Sequence, residues 1–204
     1  MAILRAIITV CEKKDPAKKQ LILDCAAQLI AQDGAGALST ARVARAVGIA
    51  QSNIYIYFKD RDALLAAVFD RAQAAGAQYI DGPLIADETK PMAARLQAYL
   101  RGLYDWSVAA PTDMLLLEQI KRLPDAPATT HIGNTRTEPL MDLIRQAQSA
   151  GLCRPVAADI LVTIVFAAVR RNVELPQKDH ASFAKLFPVL WAAIATTPAP
   201  NVEL

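Results

Sequence analysis

Apolar residues recur along this chain at intervals of three and four, the spacing that gathers them on one face of an α-helix, and no stretch alternates in the strand-like way. Leu21, Ile22, Cys25, Ala26, Leu29 and Ile30 follow an Asp15-Pro16 start and run on to Gly34 and Gly36, predicting an amphipathic helix of about five turns. A second, two-turn stretch puts Val43, Ala44 and Val47 on one face, with Ser39 and Thr40 as capping hydroxyls and Gly48 as the stop. Only Ile49 and Ala50 separate it from a third segment, Gln51 to Phe58, whose Ile54 and Phe58 stand four apart. Asp60 caps a longer helix with the stripe Leu64, Leu65, Val68 and Phe69; Gly76 and then Gly82-Pro83 are expected to close this region. From about Pro91 the pattern predicts helices near 92–109, 112–122, 135–150, 156–174 and 179–195, with breaks near Pro111, Pro124 to Pro127, Pro139, Pro155, Pro176 and Pro188. Residues 124–134 read as the most mobile loop, and the expected fold class is all-α.

Composition agrees with a helical globule. Of 204 residues 53% are hydrophobic and only 6% aromatic, so aliphatic residues and alanine build the interior. Cys11, Cys25 and Cys153 lie far apart and have no zinc-site spacing, which argues against a disulfide framework and a structural metal. His131 and His180 are isolated and read as surface-loop residues. The longest apolar runs, Ile160 to Val169 and Leu186 to Thr197, fall short of the roughly 20 residues a bilayer needs. Met1 to Cys11 is apolar with one arginine, but Glu12, Lys13, Lys14 and Asp15 follow instead of a small-residue cleavage site, so a cytoplasmic protein is expected. Net charge is +2, with the basic excess in residues 1–75, where ten Lys/Arg face seven Asp/Glu.

Residues 39–61 read, by spacing alone, as helix, glycine turn, helix. A helix-turn-helix needs this arrangement, because the first helix braces a second that enters the major groove of DNA. Between buried Ile54 and Phe58 the second helix would expose Gln51, Ser52, Asn53, Tyr55 and Tyr57, hydrogen-bonding side chains without a carboxylate. That chemistry suits a polyanionic partner.

Here Leu38-Ser39-Thr40, Val43-Ala44, Val47-Gly48-Ile49, Ile54-Tyr55, Tyr57-Phe58 and Leu64-Leu65 resemble the N-terminal domain of TetR-family transcriptional repressors, over about residues 17–70. The resemblance implies a homodimer with a three-helix DNA-binding domain followed by a larger helical domain for ligand binding and dimerisation. The expected division is an arm at 1–15, a helix-turn-helix domain at 16–62, an effector-binding and dimerisation domain at 63–197 and a loose tail at 198–204. Carried over by position, Ser39 and Thr40 would touch phosphate, Gln51, Ser52 and Asn53 would face bases, Tyr55 and Tyr57 would reach the backbone, and Lys59 and Arg61 would bind phosphate. The alternative is that Tyr55 and Tyr57 seal the small core and that Lys59 and Arg61 are solvated surface charges.

The chain departs from the family pattern at four positions. Ala50 stands where many members have a capping hydroxyl, an absence worth about 1 kcal/mol. Ser52 replaces a common glycine and could restart the cap later, shortening the recognition helix and drawing Gln51 away from the bases. Arg61 replaces lysine with the charge kept. Ala41 removes a basic contact, with Arg42 and Arg45 as open substitutes.

In the C-terminal two-thirds, residues 159–169 are nearly apolar on every side, and Phe183, Leu186, Phe187, Leu190, Trp191 and Ile194 form a second stripe. Such helices need cover all round. By resemblance, helices 156–174 and 179–195 would pair with a second subunit as a four-helix bundle; an ordinary monomer core is the alternative. Trp106, Met114, Glu118, Met141 and Phe166 are candidates to line an effector cavity, although periodicity cannot separate lining from simple packing. No catalytic fingerprint or cofactor motif occurs, so no enzyme is expected. The function the resemblance implies is a ligand-responsive regulator, a repressor that binds a palindromic DNA operator as a homodimer and is released by a small-molecule effector. The rival reading is a small-molecule-binding helical protein whose DNA reading has degenerated, motivated by Ala50 and Ser52.

Overall fold

The computed structural model describes residues 15–126, 137–176 and 181–200. Expectations for the arm before Asp15, most of the 124–134 loop, the end of the tail, and both histidines lie outside the described residues. Ten α-helices are present among the described residues. They are α1 (Pro16–Asp33), α2 (Thr40–Val47), α3 (Gln51–Tyr57), α4 (Arg61–Ile80), α5 (Pro83–Ala86), α6 (Met92–Ala109), α7 (Pro111–Lys121), α8 (Thr137–Ser149), α9 (Ala158–Glu174) and α10 (Phe183–Ile194). A short 3₁₀ turn, Ala35–Ala37, joins α1 to α2. The extended pairing among the described residues is one isolated bridge between Cys153 and Ala195.

The helix ends follow from local chemistry. Asp15 accepts a hydrogen bond from the Ala17 amide at 2.9 Å, with Pro16 in the first turn where its missing N–H costs nothing. Ser39 Oγ accepts from the Arg42 amide at 3.2 Å and Asp60 Oδ1 from the Ala63 amide at 2.8 Å. Gly48, at φ 78°, takes the left-handed conformation that ends α2, and its N–H and that of Ile49 both return to the Ala44 carbonyl.

Two expectations are corrected. Gly76 does not end α4, which runs on to Ile80, because this glycine lies in the helix interior against the indole of Trp106 on α6. Gly102 on α6 plays the same part: a Cβ there would stand 2.1 Å from the Tyr79 carbonyl oxygen. Nor does Pro188 break the last helix, since it lies inside α10 on an exposed face, where water can satisfy the carbonyl its missing N–H leaves free.

Buried residues form one continuous cluster from Ile22 to Ala195. Ile22, Ile30, Val43, Ala44, Ile54 and Phe58 close the N-terminal helices over Leu64 and Leu65 of α4. Farther along, α4 packs on α6 and α7, and α6, α8, α9 and α10 stack beyond them. Helix α7 also packs directly on α1 and the 3₁₀ turn, so it touches both ends of the molecule.

Candidate nucleic-acid interface and interior cavity

Helix α3 starts at Gln51, with Ala50 as its cap residue and no side-chain capping bond. The restart at Ser52 therefore does not occur, and the backbone closes the first turn through Asn53 N–H to the Ala50 carbonyl at 2.9 Å. Ile54 and Phe58 are buried against α2, which leaves Gln51, Ser52 and Tyr55 exposed and Asn53 half-buried.

Three of the sequence-selected residues are already joined. Gln51 Nε2 donates to Thr40 Oγ1 at 3.0 Å and to the Tyr55 hydroxyl at 3.2 Å, and the Thr40 and Tyr55 hydroxyls stand 3.4 Å apart. Thr40 is buried under this bridge, whereas Tyr55 is half exposed, with its ring on the surface and not in the core. Tyr57 is half-buried, packs on the core and accepts a hydrogen bond from the Asp15 amide at 3.2 Å. Lys59 lies just beyond α3, exposed and without an ion pair among the described residues.

Arg61 has a different post from the expected one. Its guanidinium turns inward, donating to the Leu38 carbonyl at 2.9 Å, the Ala35 carbonyl at 3.3 Å and Asp125 at 3.1 Å. It thus straps the α1–α2 connection to α4 and to the chain beyond α7. Arg42 is likewise occupied, ion-paired with Asp33 and bonded to the Ala37 carbonyl, whereas Arg45 is exposed in the last turn of α2.

The second feature is a cavity of about 280 Å³ between α6, α7, α8 and α9. Trp106, Met114, Glu118, Met141 and Phe166, all five residues singled out in the sequence, line it together. Leu117 and Val162 extend the apolar wall. Apart from Glu118, sequence reasoning missed its polar members: Lys121, Arg122, Asp159, Thr163 and Arg170. Helical spacing could have found them, since Lys121 and Arg122 follow Glu118 by three and four, and Asp159 and Arg170 flank Phe166 on α9. Burial holds the Lys121 ammonium below the usual lysine range, an effect Glu118 partly opposes. The Trp106 Nε1–H is buried with no hydrogen-bond partner among the described residues. Among the described residues no group of His, Cys, Asp or Glu could hold a metal ion, and no helix is long and apolar enough to cross a membrane.

A tight glycine turn between two short helices, the second presenting amides and hydroxyls outward, defines a helix-turn-helix DNA-binding protein. Comparison with known proteins makes this specific. Residues 22–68 match the family model of bacterial regulatory proteins, tetR family. An uncharacterised HTH-type transcriptional regulator of Haemophilus influenzae is 30% identical over 136 residues, covering 66% of this chain and 70% of that relative. Among solved structures, one from Lactobacillus plantarum, described as a candidate transcription regulator, has 26% identity and a TM-score of 0.75 over 88% of this chain and 99% of its own. A TetR-family transcriptional regulator of Haemophilus influenzae has 25% identity and a TM-score of 0.63 over 89% and 100%. The chain belongs to the TetR family of transcriptional regulators and carries that family's helix-turn-helix DNA-binding segment.

Proposed function

We propose that this regulator is a cytoplasmic repressor that holds a palindromic operator as a homodimer and lets go when a small molecule fills the α6–α9 cavity. Residues 16–62 would read DNA, and 63–197 would bind effector and partner subunit. The observation that carries this reading is the double role of α7. Its Met114, Leu117, Glu118 and Lys121 line the cavity, while it packs on α1 and the 3₁₀ turn of the DNA-binding end. A ligand that fits one position of α7 better than another shifts the reading head by that difference in affinity.

Dimerisation has its own support. Val156, Ile160 and Ile164 form an exposed apolar stripe at four-residue spacing along the start and outer face of α9, and Val189 on α10 is 62% exposed. An exposed apolar stripe of this kind supports a subunit interface along α9. On the DNA face, Gln51, Ser52 and Asn53 would meet bases, with Ser39, Thr40, Tyr55, Tyr57 and Lys59 toward the backbone. Arg61, strapped internally, drops out of the phosphate set.

The reading is tested by titrating a broad effector panel into a preformed protein–DNA complex while measuring the protein's mass in solution. Release of a two-subunit complex supports it. A monomer on DNA, or release by no compound, contradicts the dimeric inducible mechanism.

A further inference from the structure

The cavity is apolar along most of its wall, but its charge is not balanced. Three cations, Lys121, Arg122 and Arg170, line it against two carboxylates, Glu118 and Asp159. Two of these cations have acidic neighbours: Arg170 pairs with Glu174, and Arg122 lies 3.9 Å from Glu118. The Asp159 carboxylate is turned to the first turn of α9, accepting the Ile160 amide at 2.9 Å. Lys121 makes no hydrogen bond or direct ion pair among the described residues; Glu118, three residues earlier, acts on it electrostatically, and its ammonium lies 5.9 Å from the centroid of the Phe69 ring. A half-buried ammonium whose neighbouring carboxylate, Glu118, makes no direct ion pair with it among the described residues is costly to keep charged and gains from an incoming anion.

A second donor points the same way from another helix. Trp106 is 5% exposed and lines the same cavity, and its Nε1–H, itself closed off by packing, has no acceptor among the described residues. Buried donors in folded proteins are nearly always satisfied, by protein, water or ligand. A charged side chain on α7 and an indole on α6, both lining one largely apolar cavity, suit a molecule that is hydrophobic at one end and an oxygen acceptor at the other, with a small turn of the indole bringing its N–H to the acceptor. The volume, about 280 Å³, sits at the lower edge of the roughly 300–1,000 Å³ of small-molecule sites, so the molecule is small.

We infer that the effector is a small amphipathic anion of the monocarboxylate class, its tail among Met114, Met141, Val162 and Phe166, and its carboxylate between Lys121 and the Trp106 indole N–H. This assignment rests on the cavity being the effector site. Glu118 and Asp159 would repel a second negative group, so a dianion is disfavoured.

Calorimetric titration of the full chain with octanoate, octanol and octylamine, which share tail length and differ in the head, tests it directly. The expected order is octanoate at least about tenfold tighter than octanol, with octylamine weakest. In Lys121→Met the octanoate preference over octanol should collapse to within about twofold while octanol affinity holds. Trp106→Phe should weaken octanoate more than octanol. Octanol or octylamine binding as tightly as octanoate, an undiminished preference in Lys121→Met, or binding of none of the three overturns the assignment. Operator release is measured separately with the same compounds: release by neutral or cationic molecules alone refutes the anion while leaving the inducible regulator intact, whereas tight octanoate binding without release upholds the ligand class and counts against the regulatory reading.

Discussion

Gly76 on α4 lies under the indole of Trp106 so closely that a Cβ would stand 2.7 Å from the ring's Cε2. The indole can line the cavity only because α4 has no side chain there. Gly76→Ala is therefore expected to push the ring into the cavity or lift α6 away, at a cost of about 1–3 kcal/mol. Gly102→Ala should be worse, since its Cβ would meet the Tyr79 carbonyl, a backbone atom that no rotamer change can move. Denaturant titration of both variants checks the order; equal stability would mean the helices approach less closely than described.

Arg61 is a strap. Arg61→Lys keeps the charge but loses the planar fork that reaches the Leu38 and Ala35 carbonyls and Asp125. The expected loss is about 1–2 kcal/mol of stability, with the salt dependence of DNA binding unchanged. A phosphate contact would give the opposite signature, a shallower salt slope in Arg61→Ala with stability intact.

Lys59 and Asn53 should separate by role. Lys59→Ala, which removes an exposed charge beside α3, should weaken binding to all sequences alike and reduce the salt slope by about one. Asn53→Ala should relax discrimination between operator and unrelated DNA by about 1–3 kcal/mol while leaving that slope alone. Competition binding at several salt concentrations distinguishes the two, and equal losses in both variants would refute the division.

Cys153 gives a pH dependence of known sign. Burial pushes its thiol up to about 11 in the folded protein, from an ordinary 9.0. Its contribution is complete below pH 9, where folded and unfolded thiols are both neutral. Above that the unfolded chain gains a thiolate the native site excludes, so stability falls through this window and the loss levels off near pH 11. Wild type should lose about 1–2 kcal/mol between about pH 8 and about pH 10 more than Cys153→Ala does. Parallel curves for the two proteins would remove the thiol as the cause.

Much of this was legible in local sequence. The caps at Asp15, Ser39 and Asp60, the glycine stop at Gly48 and the apolar stripes act within a few residues, and each fell where spacing put it. The misreadings share one cause. Gly76 reads as a stop until Trp106, thirty residues on, is known to lie against it. Arg61 reads as a free surface charge until Asp125, sixty-four residues away, is seen beside it. Glu118 is one of five lining candidates and spacing puts Lys121 on its face, but which charges share the cavity depends on four helices meeting, which no single period carries.

The central claim, sequence-selective DNA reading by α3 under ligand control, is tested most directly by selecting preferred duplexes from a random library and titrating the winner against unrelated DNA at physiological salt. The account predicts a palindromic site bound about a thousandfold more tightly than unrelated DNA, with occupancy lost when the cavity is filled. Enrichment of no sequence, with equal and weak binding throughout, would contradict it and mean that the uncapped start at Ala50 has cost this helix its reading function.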